Sequence, residues 1–194
     1  MRIVLATRNR GKVAEIRALL SDLPVDLLAA TDMDGIPEVD EDALTLEGNA
    51  AKKAQLLHAC TGLPALADDT GLEVDALGGR PGVYAARYAG EGCTPADNRR
   101  LLLHELRAEV NRAAQFRCVL AFVEKGEERF FEGACRGRIP TTEHGTGGFG
   151  YDAVFVPEGY AQTFAELSAR QKNAISHRAQ ALERFRTYLC ARLS

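Results

Sequence analysis

The stretch from Ala65 to Gly90, ALADDTGLEVDALGGRPGVYAARYAG, constrains this chain more than any other. Leu63, Ala65, Leu66 and Ala67 predict a buried strand that runs directly into Asp68, Asp69 and Thr70 and then the turn residue Gly71. Open α/β sheets place their ligands at the carboxyl ends of strands, and adjacent carboxylates there hold Mg²⁺ through one or two oxygens or activate a water. Taken alone, Asp-Asp-Thr-Gly reads equally as a solvated turn. The flanks favour chemistry. Leu72, Val74 and Leu77 resume an apolar pattern, Gly78, Gly79, Pro81 and Gly82 demand a second tight turn, and Tyr84, Arg87 and Tyr88 follow at helical spacing.

A length of 194 residues, 46% of them hydrophobic and 26% charged, suits one domain over residues 1–194, with one substantial core or two lobes around a cleft. The net charge of −3 argues against a surface built for duplex nucleic acid, whose binding rests on basic phosphate contacts. Five cysteines, an odd number with no C-x-x-C pair, indicate neither a disulfide framework nor a zinc knuckle, and a reducing cytoplasm fits them. The apolar run Ile3–Ala6 is too short for a signal peptide and no run approaches a membrane span, so the expectation is a cytoplasmic protein with no membrane partner.

Ile3–Ala6 predicts a strand, and Val13, Ile16, Leu19 and Leu20 recur at helical spacing, so Thr7 to Lys12 is a strand-to-helix loop. Free N–H groups and the helix dipole favour an anion there, with Thr7, Asn9 and Lys12 as side-chain donors. A Walker A loop is absent, because Val13 follows Gly11-Lys12 where Ser or Thr should stand. Glu38, Asp40, Glu41 and Asp42 form an acidic loop cluster. Leu46 to Cys60 reads as a helix with Thr45 as N-cap, and it carries Asn49 and Lys53 four residues apart on one face. Thr94-Pro95 opens a helix built for packing. Phe116 to Val123 and Arg129 to Cys135 form a hairpin in which Cys118 packs rather than reacts. His144 to Asp152 is a glycine-dense loop leading into a strand from Ala153 to Val156, and Phe149 and Tyr151 in it offer ring faces for a base. A last helix carries Ile175, Ala179, Leu182, Phe185 and Leu189 on its core face, with Lys172, Ser176, His177 and Arg178 near its start.

In order along nearly the whole chain, TRNRGK, GNAAKKA, the Ala65–Gly90 passage, GTGGFGYDAVF and KNAISHRAQAL resemble the signature of the inosine triphosphate pyrophosphatase family. The resemblance implies an α/β fold with a long twisted mixed sheet flanked by helices, and two lobes with the active-site cleft between them. It implies an Mg²⁺-dependent hydrolase that converts ITP, dITP and XTP to monophosphate and pyrophosphate, clearing deaminated purines from the nucleotide pool, and a homodimer. By the same resemblance Thr7, Arg8, Asn9, Arg10, Gly11 and Lys12 meet the triphosphate, with Asn49, Lys53 and Thr70 joining them. Asp69, the general base, and Lys53 are the catalytic residues, and Asp69, Glu41 and Asp68 are the metal ligands. Phe149, Gly150, Tyr151 and Asp152 contact the purine, Lys172 a phosphate or the sugar, and His177 and Arg178 donate to the base. The chain departs from the family pattern at Gly48-Asn49, where Glu-Asn is usual. Rival readings are a pyrophosphatase for ordinary or methylated nucleotides and a nucleotide sensor without turnover. A nucleic-acid-binding module is disfavoured by the acidic charge.

Overall fold

A computed structural model describes residues 1–33, 35–37 and 39–193. Glu38 of the acidic cluster lies outside them. The chain divides into two compact units, the first made of Met1–Asp69, Cys118–Gly133 and Arg178–Ser194 and the second of Thr70–Arg117 and Ala134–His177.

In the first unit β1 (Arg2–Leu5) pairs in parallel with β2 (Asp26–Ala29) and with β3 (Ala65–Val74). Parallel neighbours need crossovers, supplied by α1 (Arg10–Leu19) between β1 and β2 and by α2 (Leu46–Thr61) between β2 and β3. The period-2 alternation of a strand then sorts the core. Ile3, Leu5 and Leu66 face Val13 and Ile16 of α1 together with Leu182, Phe185 and Leu189 of the last helix, whereas Val4 and Ala65 face Leu57 of α2. As expected, Thr45 caps α2, accepting a hydrogen bond from Gly48 N.

Within the second unit the end of β3 pairs antiparallel with β4 (Pro81–Gly82), and α3 (Pro95–Glu105) starts at a capping box of Thr94 and Asp97. β5 (Ala113–Glu124) and β6 (Glu127–Arg138), whose far ends Cys118–Gly133 belong to the first unit, form the expected hairpin, turning at Lys125 and Gly126 with φ of 52° and 80°. Positive φ at both central residues gives the two-residue turn whose twist suits the flanking strands. The second core gathers Leu72, Leu102, Phe116, Tyr151, Phe155 and Phe164. Among the described residues the sheet order is β2-β1-β3-β5-β6-β7, with β7 (Val156–Pro157) antiparallel to β6. The sheet is therefore mixed, and helices flank it.

Three expectations need correction. Asp68-Asp69-Thr70-Gly71 is not a turn at a strand end: β3 runs on through it to Val74, because Leu72 and Glu73 continue the ladder against Gly82 and Pro81. The apolar segment after the glycine loop is a 3₁₀ turn, Asp152–Val154, before the short β7. The last helix is two, α4 (Ala169–Ile175) and α5 (His177–Leu193), because Ser176 between them is extended at φ −67°, ψ 155°. Among the described residues no helix is long and apolar enough to cross a membrane.

Candidate active site

Because side chains alternate along a strand, Asp68 and Asp69 leave opposite faces of β3. Asp68 shares its face with Leu66, toward α1 and α5. There Arg178 Nε donates to Asp68 Oδ2 at 2.7 Å, Cys118 Sγ donates to the same oxygen at 3.2 Å, and Lys12 forms an ion pair with Oδ1. Glu15 of α1 pairs with the other side of the Arg178 guanidinium. The charges alternate in sign, and the Asp68 side chain is fully buried. Burial works to raise the Asp68 pKa, but Arg178 and Lys12 outweigh it and hold the carboxyl well below its usual range. Burial and then the Asp68 charge push the Cys118 thiol well up, so it stays a thiol and packs.

Asp69 belongs to the α2 face. Lys53 Nζ donates to Asp69 Oδ1 at 2.6 Å and to the Asp68 carbonyl at 3.0 Å, and Glu41 Oε2 lies 3.4 Å from the same ammonium. Lys12 Nζ reaches that carbonyl too, at 3.4 Å. Burial raises the Asp69 pKa and Lys53 pulls it part of the way back, leaving it at about 6. Burial acts to lower the Lys53 pKa, yet Asp69 and Glu41 outweigh it and leave the ammonium raised. A carboxylate of increased basicity thus sits against a firmly protonated lysine. Asn49, fully buried one helical turn before Lys53, accepts from Ala43 N through Oδ1 at 3.0 Å, while its Nδ2 has no hydrogen-bond partner among the described residues. A buried donor without a protein partner is uncommon, and a water or a ligand oxygen there would satisfy it.

Among the described residues no three His, Cys, Asp or Glu side chains cluster as a cage for a metal. Glu41 and Asp69 do converge on one ammonium. Two carboxylates are the usual protein share for Mg²⁺, which completes its shell with water and substrate phosphates. Asp68, expected as a third ligand, forms ion pairs with Arg178 and Lys12.

The second unit holds the glycine loop. Asp152 Oδ2 accepts from Phe149 N at 2.8 Å and from Lys172 Nζ at 2.7 Å, and that ammonium stands 4.6 Å from the Phe149 ring centroid. Arg99 of α3 donates to the Gly150 carbonyl at 2.8 Å and pairs with Glu143. His177 is buried and stacks on Phe116, with centroids 4.6 Å apart at 16°.

The structure brings Lys12, Glu41, Asn49, Lys53 and Asp69 into the first unit's charged network. His177 ends the second unit, where it stacks on Phe116, and Arg178 belongs to the first. The buried Arg178 guanidinium donates to Asp68 and pairs with Glu15. Tyr151 is a core residue whose hydroxyl donates to the Ala85 carbonyl at 2.9 Å. In the first loop Asn9 Oδ1 caps α1, accepting from Gly11 N and Lys12 N at 2.9 and 3.2 Å, so those two N–H groups are not free. Thr7 Oγ1 accepts from Asn9 N, and Arg8 donates to the Ile36 carbonyl. Arg10 is exposed, and Thr70 is half-buried at the start of the second unit. Two residues escaped the sequence reading. Glu15 carried one signal, its i,i+3 spacing from Lys12 on α1; Arg99 carried none, since its partner is a backbone carbonyl 51 residues away.

Comparison with known proteins agrees with the motifs. The dITP/XTP pyrophosphatase of Geobacter sulfurreducens is 49% identical over 191 residues, covering 97% of this chain and 96% of that protein. That of Shigella flexneri is 46% identical over 94% of each chain. The solved structure of a HAM1 protein from Coxiella burnetii superposes with a TM-score of 0.90 at 40% identity, over 98% of this chain and 99% of that one. A family model described as the Ham1 family matches residues 3–188, and with these relatives it establishes that the chain belongs to the Ham1 family.

Proposed function

We propose that the protein is a nucleoside-triphosphate pyrophosphatase that cleaves ITP, dITP and XTP to the monophosphate and pyrophosphate with Mg²⁺. The observation that carries this is Asp69, its pKa raised to about 6 by burial while Lys53 holds it in place. A base poised near neutrality removes a proton from water efficiently, and the triphosphate's own charge is the obstacle to that water's approach. Asp69 takes the proton. Lys53, Lys12 and the unpaired Nδ2 of Asn49 meet the phosphate oxygens, with the Thr7–Lys12 loop and Thr70 beside them. Glu41 and Asp69 hold the metal, which when bound supplies positive charge on the phosphate oxygens. Asp68 orients Lys12 and Arg178 from the opposite face.

In the second unit Phe149 supplies a ring face to the purine, and the Phe149–Asp152 loop is braced by Lys172 and Arg99. His177 is the donor to the 6-oxo group that hypoxanthine and xanthine carry where adenine has an amino group. A site built to donate there leaves its donor unpaired with ATP, which is how hydrogen bonds discriminate strongly. The names borne by the relatives support this substrate class. The same reading takes the protein as a cytoplasmic homodimer. The test is product identity: with ITP and Mg²⁺, IMP and pyrophosphate should appear in equal amounts and cease with EDTA. Orthophosphate as the first product would overturn the bond assignment.

A further inference from the structure

We propose that Gly48 and Asn49 are positioning residues which hold the segment around Ala43 on α2 and so set Glu41 against Lys53 and Asp69. This rests on the two-carboxylate metal reading above. Glu41 is two residues before Ala43, whose N–H is held by Asn49 Oδ1 at 3.0 Å. Its neighbour Asp42 pairs with Lys52, so the acidic segment is tied to α2 at consecutive lysines, Glu41 to Lys53 and Asp42 to Lys52. Gly48 makes the contact possible. A Cβ there would come within 2.7 Å of Ala43 Cβ and 3.2 Å of Thr45 Oγ1. Ala43 Cβ is fixed to the backbone, so any side chain at 48 displaces the segment that carries Glu41.

The backbone does not require glycine here: position 48 lies in a helix and its φ is not positive. Helix propensity disfavours glycine against alanine by about 1 kcal/mol, so the close approach of Ala43 is the physical account of a residue that α2 alone would not select. The departure from Glu-Asn noted in the sequence is thus compatible with a metal carboxylate reaching the site from Glu41, on a segment that needs room at position 48.

The test is direct Mn²⁺ uptake by the full chain without nucleotide, with free Mn²⁺ read by electron paramagnetic resonance. Gly48→Ala should weaken uptake about tenfold, the size of effect that residues supporting a metal ligand have, while melting no lower than wild type. The double variant Ala43→Gly/Gly48→Ala removes the colliding methyl and should return affinity to within about threefold of wild type. Should Gly48→Ala fail to fold, Ala43→Val crowds the same contact from the other side and should weaken uptake similarly. Wild-type affinity in Gly48→Ala or, if that variant is unfolded, in Ala43→Val overturns the proposal, as does a double variant as weak as the single. A Glu41→Gln variant that binds Mn²⁺ like wild type, or a wild type that binds none, would instead sink the two-carboxylate reading beneath it.

Discussion

Asp68 and Asp69 are consecutive residues whose carboxylates answer to different helices: Asp68 Oδ2 lies 2.7 Å from Arg178 Nε of α5, and Asp69 Oδ1 lies 2.6 Å from Lys53 Nζ of α2. One peptide of β3 therefore separates a buried anion paired with Arg178 from a candidate base. The peptide itself joins them, since the Asp68 carbonyl accepts from both Lys53 and Lys12.

Asp69→Asn keeps the size of the side chain and a hydrogen-bonding oxygen for Lys53 but removes the base. Turnover of ITP should fall about 10²- to 10⁴-fold with the fold retained by circular dichroism. Near-normal turnover in a folded variant would remove Asp69 from the chemistry.

Arg178→Met leaves Asp68 and Glu15 without their shared cation in a buried setting. Breaking such a pair from one side costs about 3–5 kcal/mol, so the variant should melt well below wild type. The ratio of ITP to ATP efficiency should be unchanged. A variant of normal stability that had lost its ITP preference would return Arg178 to the base.

Phe149→Leu removes the ring while keeping an apolar side chain. Stacking on a base is worth about 1–3 kcal/mol, so KM for ITP should rise roughly 5- to 150-fold. Inhibition by tripolyphosphate, which has no base, should not change; an equal loss for both would show that Phe149 acts on the loop and not on the purine.

Tyr88 donates to Glu105 in the second unit. Burial first, then the hydrogen bond and charge of Glu105, push its phenol up to about 12 from the usual 10. A folded-state pKa above the unfolded one gives stability that is complete below about pH 10 and lost as pH rises toward 12. In an ultraviolet titration Tyr88→Phe should delete an ionisation step near pH 12. A step lost near pH 10 would show that the contact is not held in solution.

Local patterning made much of this legible. Apolar spacing gave the strand at Ile3 and the helix at Leu46, Thr45 and Thr94 announced their caps, and the runs from Phe116 and Arg129 announced the hairpin. What escaped notice depended on partners distant in sequence. Asp-Asp-Thr-Gly looks like a turn because those residues form turns, yet pairing with Gly82 and Pro81 keeps it extended. That extension is what sends the two carboxylates to opposite faces, so the separate task of Asp68 was hidden along with it. The motif alone put Arg178 beside His177 as a donor to the base, and its contacts with Asp68 and Glu15 had no sign in the sequence. Glu15 and Arg99 sit in helices, and their roles come from contacts 163 and 51 residues away.

The most direct measurement is the pyrophosphate released, with Mg²⁺ present, from ITP, dITP, XTP, ATP, GTP and dTTP offered separately. The account predicts pyrophosphate from the first three and little from the others. Equal catalytic efficiency on ATP and ITP would contradict it.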